Sequence, residues 1–135
     1  MLPHEEGVGM LRRLIQTLRA GRTVGVLADR NVGVEGNSGV QVSFFGHDTV
    51  MSSAVARLAL RSKALIVPCF CYREGRKYIV QIEPPITPTT SDQPEHDVAT
   101  LTRKVAAVYE KYIERHPEQW LLLSPVWADA VVAGA

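Results

Sequence analysis

The sequence predicts an α/β fold, a mixed sheet flanked by helices, on three observations. Apolar stripes at helical spacing, such as Val8, Leu11, Ile15 and Leu18 or Val98, Leu101, Val105 and Val108, alternate with short apolar runs at residues 23–28 and 64–72. A stripe recurring every three to four residues covers one side of a helix, whereas a short apolar run suits a strand buried on both faces of a parallel sheet. Residues 77–83 instead alternate, Tyr78, Val80 and Ile82 against Lys77, Ile79, Gln81 and Glu83, which suits an antiparallel hairpin with one wet face. Helices interleaved with strands imply a layered α/β domain. At 135 residues the chain is the size of one domain with one core, and a single domain over 1–135 is expected.

The elements follow in order. Residues 7–20 form a helix, with Arg12, Arg13, Gln16 and Arg19 off its apolar stripe and Gly21 as its stop. Residues 23–28 form a buried strand ending at Asp29. Residues 31–40, with Gly33, Gly36 and Gly39, form a loop leading into Gln41, Val42, Ser43, Phe44, Phe45 and Gly46. Met51, Val55, Leu58 and Ala59 stripe a helix over 51–62, while Ser53, Arg57 and Arg61 recur every four residues along another face. Residues 64–72 read as a second buried strand, with Pro68 at an irregularity because proline cannot donate to a ladder. A turn at 73–76 joins it to the alternating strand. After a Pro- and Thr-rich connector, Asp92, Gln93, Pro94 and Glu95 have capping-box spacing and open a long helix that Pro117 ends. Residues 120–127 form a short helical segment packed back on the domain.

Charge and composition narrow the function. Fifteen Lys and Arg against fourteen Asp and Glu leave no global field to hold nucleic acid. Cys69 and Cys71 lack the usual C-x-x-C spacing for zinc or redox work and read as buried free thiols. His4, His47, His96 and His116 have no metal-ligand spacing, so no metal or cofactor is implied. No stretch approaches the roughly 20 apolar residues of a membrane span, and the acidic start does not suit a signal peptide. Phosphate-loop, dinucleotide and nucleophile-elbow motifs are absent from the sequence.

Candidate chemistry lies at the carboxyl end of the first run, where open α/β sheets bind ligands. Asp29 could accept from hydroxyls and Arg30 donate to phosphate or carboxylate; the alternative is an Asp that caps the loop beside a paired Arg. Arg57 with Arg61 could extend an anion surface, or simply form a solvated helix face. Phe44 and Phe45 could line an acyl-chain groove, with Gly46 allowing close backbone approach, although core packing also explains the two rings.

Six segments in order carry a resemblance: Leu27-Ala28-Asp29-Arg30-Asn31, Val42-Ser43-Phe44-Phe45-Gly46, Ala56-Arg57-Leu58-Ala59, Ile66-Val67-Pro68, Ile82-Glu83-Pro84-Pro85 and Arg115-His116-Pro117-Glu118-Gln119-Trp120. Together they resemble the lipid A lauroyl/myristoyl acyltransferases, of the glycerolipid acyltransferase superfamily. The ending Pro125-Val126-Trp127-Ala128-Asp129 is similar to the phosphatidylinositol mannoside acyltransferase branch. The resemblance implies a partial glycerolipid-acyltransferase-like fold, a substrate-binding role for Asp29 and Arg30, and acyl transfer from acyl-CoA or acyl carrier protein to a hydroxyl of a membrane glycolipid. It also implies peripheral attachment to the cytoplasmic face of the inner membrane.

Two departures qualify what is implied. The family base is the histidine of an H-x-x-x-x-D/E motif, oriented by its acid to deprotonate the acceptor hydroxyl. Here the residues five after each histidine are Gly9, Ser52, Leu101 and Leu121. Gln41 and Ser43 also stand where some relatives carry assisting acids. The expectation is therefore the C-terminal part of an acyltransferase domain without its catalytic-motif half, inactive alone and soluble as a piece. The alternative is a non-catalytic lipid-binding or scaffold module.

Overall fold

The computed structural model describes residues 3–28, 39–121 and 126–127. Helix α1 (Pro3–Arg19) is followed by hairpin β1 (Gly39–Phe44) and β2 (His47–Ser52), helix α2 (Ala54–Ser62), hairpin β3 (Cys69–Glu74) and β4 (Lys77–Ile82), and helix α3 (Pro94–Arg115). A single 3-10 turn, Pro117–Gln119, ends this order. The α/β class holds, and the sheet pairing among the described residues is antiparallel: β1 with β2 and β3 with β4.

The first hairpin turns on Phe45 and Gly46, with φ of +52° and +75°. Two positive φ values at the centre of a two-residue loop twist with the strands they join, and glycine tolerates that region without strain. A Cβ added at Gly46 would meet nothing within 4 Å, so backbone sign, not the close approach expected from sequence, calls for glycine here. Strand alternation then buries Val42 and Phe44 on one face of β1 and Thr49 on β2.

That face packs on α3. Val42, Phe44 and Ala106 form one core cluster, and Ala56, Ala59, Val98 and Leu101 form the other, between α2 and α3. Ala56 and Ala59 let α2 approach α3 closely, and Ala106 does the same for the first hairpin. The chain after α3 returns to the first hairpin: the Trp127 indole N–H donates to the Phe44 carbonyl at 3.0 Å, and the Thr49 hydroxyl donates to the Val126 carbonyl. The expected packing of residues 120–127 is therefore present, but its described residues are not helical; the helical turn lies earlier, initiated by Pro117.

Several sequence expectations are corrected. Residues 23–28 form no strand, and Leu27 is 93% exposed, because an apolar run becomes a strand only where a partner offers its ladder. Residues 51 and 52 end β2 rather than start α2; Met51 matched the helical stripe only by spacing. The second strand begins at Cys69, after Ile66 makes an isolated bridge to Ile86. Pro68, which has no N–H, accepts from the Glu83 N–H at 2.9 Å. The turn narrows to Gly75 and Arg76, with Glu74 opposite Lys77. Cys69 and Cys71 are free but exposed, since among the described residues nothing covers their side of the hairpin.

The capping box at 92–95 is also replaced. Gln93 caps α3 without a side-chain bond. Asp97 instead accepts from the Ser91 N–H and hydroxyl at 2.7 and 2.8 Å, and Glu95 is drawn away by Arg57, whose guanidinium grips both carboxylate oxygens at 2.9 and 2.7 Å. At the far end of the connector, Glu83 accepts from the Tyr112 hydroxyl and from Lys111 at 3.1 Å. This clamp ties the end of β4 to α3.

Two measurements test this architecture. Phe44→Ala removes a fully buried ring and is expected to cost about 3–5 kcal/mol in chemical denaturation; a loss below ~1 kcal/mol would mean the hairpin does not rest on it. The Tyr112 hydrogen bond, then Lys111, hold the Glu83 carboxyl below its ordinary value. Burial, then Glu83, push the Tyr112 phenol up to about 12. A lowered carboxyl stabilises above its ordinary range and loses that as pH falls through the folded value; a raised phenol stabilises below its ordinary range, about 10, and loses that as pH rises toward its folded value. The melting temperature should therefore fall at both extremes. Tyr112→Phe should flatten the alkaline fall and reduce the acid one relative to wild type.

Candidate functional site

A cleft of about 320 Å³ opens between residues 26–28, the β3 strand and the C-terminal half of α3. That volume lies at the lower end of small-ligand pockets, about 300–1,000 Å³. Strand alternation aims Phe70 and Tyr72 at the helix, while Tyr109, Tyr112, Ile113 and His116 recur at helical spacing on the facing side of α3. The Phe70 ring stacks on Tyr112 at 3.8 Å and meets Tyr109 edge-on at 5.8 Å. Tyr72 stacks on the His116 imidazole at 4.2 Å. An aromatic wall of this kind suits an apolar chain or ring far better than an anion.

Polar groups stand at its margin. His116 Nδ1 lies 3.8 Å from a Glu118 carboxylate oxygen, too long for a hydrogen bond. The Gln119 side chain accepts from the Arg73 N–H at 2.7 Å and donates to the Arg73 carbonyl at 3.0 Å, occupying the strand edge as a paired residue would. The Glu83 carboxylate is engaged by Tyr112 and Lys111. Among the described residues, no three His, Cys, Asp or Glu are grouped to hold a metal ion. Nor is any helix among them long and apolar enough to cross a membrane.

The residues singled out from sequence fall in different places. Asp29 and Arg30 lie outside the described residues; Ala28, immediately before them, lines the cleft. Phe44 is core and Phe45 half-buried, and the Phe45 N–H donates to Glu110 at 2.7 Å. Neither ring lines the cleft; both face Trp120, at 6.0 and 6.5 Å, and it is Trp120 that does. Gly46 is a turn residue. Arg57 is held by Glu95 and by the Ser53 hydroxyl at 3.0 Å, and the Glu95 bond raises its pKa. The cleft's own residues were not singled out. Their spacing marks faces of a strand and a helix, but nothing in the spacing says that the two faces meet.

Comparison with known proteins adds what the cleft alone does not specify. A family model described as bacterial lipid A biosynthesis acyltransferase matches residues 1–129. A phosphatidylinositol mannoside acyltransferase of Mycobacterium tuberculosis (strain ATCC 25618 / H37Rv) is 34% identical over 114 residues, 84% of this chain and 34% of its own. One from Mycolicibacterium smegmatis is 31% identical over 114 residues, 84% of this chain and 35% of its own. The chain thus spans about a third of the length of these relatives. With the family model matched over nearly its whole length, the chain belongs to the bacterial lipid A biosynthesis acyltransferase family.

Proposed function

We propose that this chain is the C-terminal, substrate-contacting part of an acyltransferase that moves a fatty acyl group to a hydroxyl of a membrane glycolipid. The observation that carries the reading is the aromatic cleft ending at Ala28, one residue before the Asp29 and Arg30 pair. The cleft receives the acyl chain, and Asp29 with Arg30 meets the polar head group. A carboxylate accepts from hydroxyls while a guanidinium forks onto phosphate oxygens, a combination suited to a phosphorylated sugar lipid. The names of the relatives, phosphatidylinositol mannoside acyltransferases, support that acceptor class. Phe44 and Phe45 act on the cleft through Trp120, Gly46 shapes the turn that carries them, and Arg57 offers its guanidinium to an anion only if it leaves Glu95.

The donor is an acyl thioester, of coenzyme A or of acyl carrier protein, and the reaction takes place at the cytoplasmic face of the membrane with the protein bound peripherally. Proton removal from the acceptor falls to a histidine-acid pair outside this chain, because none of its four histidines has an acid five residues on. The chain alone therefore binds without turning over.

Calorimetric titration of the chain with a long-chain acyl-CoA tests the cleft. Saturable binding is expected, and Phe70→Asp should weaken it by about tenfold or more, roughly 1.4 kcal/mol; unchanged affinity would remove the cleft from the reading. Acceptor-dependent thioester consumption by the unmodified chain would overturn the claim that it lacks the base. In a full-length relative, the residue aligned with Arg30 changed to Ala should reduce transfer to the glycolipid more than hydrolysis of the donor, and equal loss of both would argue against a head-group role.

A further inference from the structure

Among the described residues, the β3 and β4 hairpin is covered on one side only. Phe70 and Tyr72 face α3. The opposite face carries Cys69 and Cys71 from β3, set against Ile82 and Val80 in the pairing register, with Arg73 opposite Tyr78. Tyr78, Val80 and Ile82 are 75%, 64% and 61% exposed, and Val67, just before the strand, is 49% exposed. Of the two faces that the alternation offers, the one with Tyr78, Val80 and Ile82 is thus the outward one. A contiguous apolar row of this kind marks an interaction surface rather than ordinary exposure.

The edge of β3 points the same way. Glu83 bonds to the Pro68 carbonyl, whereas the Arg73 N–H and carbonyl bond to Gln119 rather than to the partner strand. Backbone direction alternates along an antiparallel strand, so Cys69 and Cys71, in step with Arg73, turn their N–H and carbonyl groups toward the open edge. An antiparallel pair can leave one face to water, but that face is then polar; an apolar bare face beside an open edge is the form of a sheet interrupted partway across.

We propose that this face is the seam against which the rest of an acyltransferase fold packs. The occupant is the part of a family member that this chain does not match, joined to it in one polypeptide or supplied as a second one. The relatives provide the material: the matched region is only 34–35% of their length. The bare row is apolar, as a buried layer contact requires, and its centre, Val80 with Cys71, carries no charge.

The two thiols on the face report whether it is covered, provided that the cleft, which both residues also border, is kept free of ligand. Iodoacetamide labelling of Cys69 and Cys71 is measured in three samples: the chain alone, the chain co-expressed with the unmatched remainder of the Mycolicibacterium smegmatis relative, and a chimera with this chain in place of that relative's matched 114 residues. Labelling should be fast in the first and slower by about tenfold or more in the chimera, in the co-expressed pair, or in both, as expected for sites opened only by local unfolding. Val80→Asp, at a site already exposed, should leave the chain's own melting unchanged and restore fast labelling. Equally fast labelling in all three samples overturns the proposal. So does protection that appears in the chain alone with rising concentration, which would assign the face to a second copy, or on adding lipid vesicles, which would assign it to a membrane. Acyl-CoA binding is read separately, so failure of the seam leaves the cleft reading standing.

Discussion

Burial of the apolar surface of α3 is the constraint that α2 and both hairpins satisfy. Its first turns take Ala56 and Ala59 of α2 against Val98 and Leu101. Its middle, at Ala106, takes Val42 and Phe44 of the first hairpin. Its last turns take Phe70 and Tyr72 of the second hairpin against Tyr109, Tyr112 and His116. One 22-residue helix thereby holds three elements that pair little with one another. Small residues permit close approach at the first two contacts, and aromatic rings fill the third.

The third contact differs in kind from the first. Alanine against alkyl side chains leaves little room, whereas stacked and edge-on rings meet along planes and leave a cleft at their border. The candidate site is thus a consequence of how α3 receives the second hairpin. The Glu83 clamp to Tyr112 and Lys111 fixes that reception from the end of β4, and the Gln119 amide on Arg73 fixes it from the edge of β3. Both anchors lie in segments that carry the family resemblance, Ile82 to Pro85 and Arg115 to Trp120, which gives those segments a structural role beside any contact with substrate.

A helix can cover only one face of a two-stranded hairpin. Among the described residues, one side of the second hairpin therefore carries the cleft, and the other leaves Val80, Ile82 and two thiols in the open.

Periodicity by itself determined α1, most of α2, the β3 and β4 hairpin and the whole of α3, because each rests on local spacing and on Gly or Pro at its ends. Ordered motifs determined the family. The faces were decided by tertiary structure: the row at Tyr78, Val80 and Ile82 looks identical in sequence whether it turns toward a core or away from one. Residues 23–28 have the composition of a strand but lack a bonded neighbour, and composition cannot supply the ladder. Glu95 has the spacing of a cap, yet Arg57, 38 residues earlier, holds it. The cleft was out of reach of sequence for the same reason, since it exists only where a strand face and a helix face, each readable alone, come together.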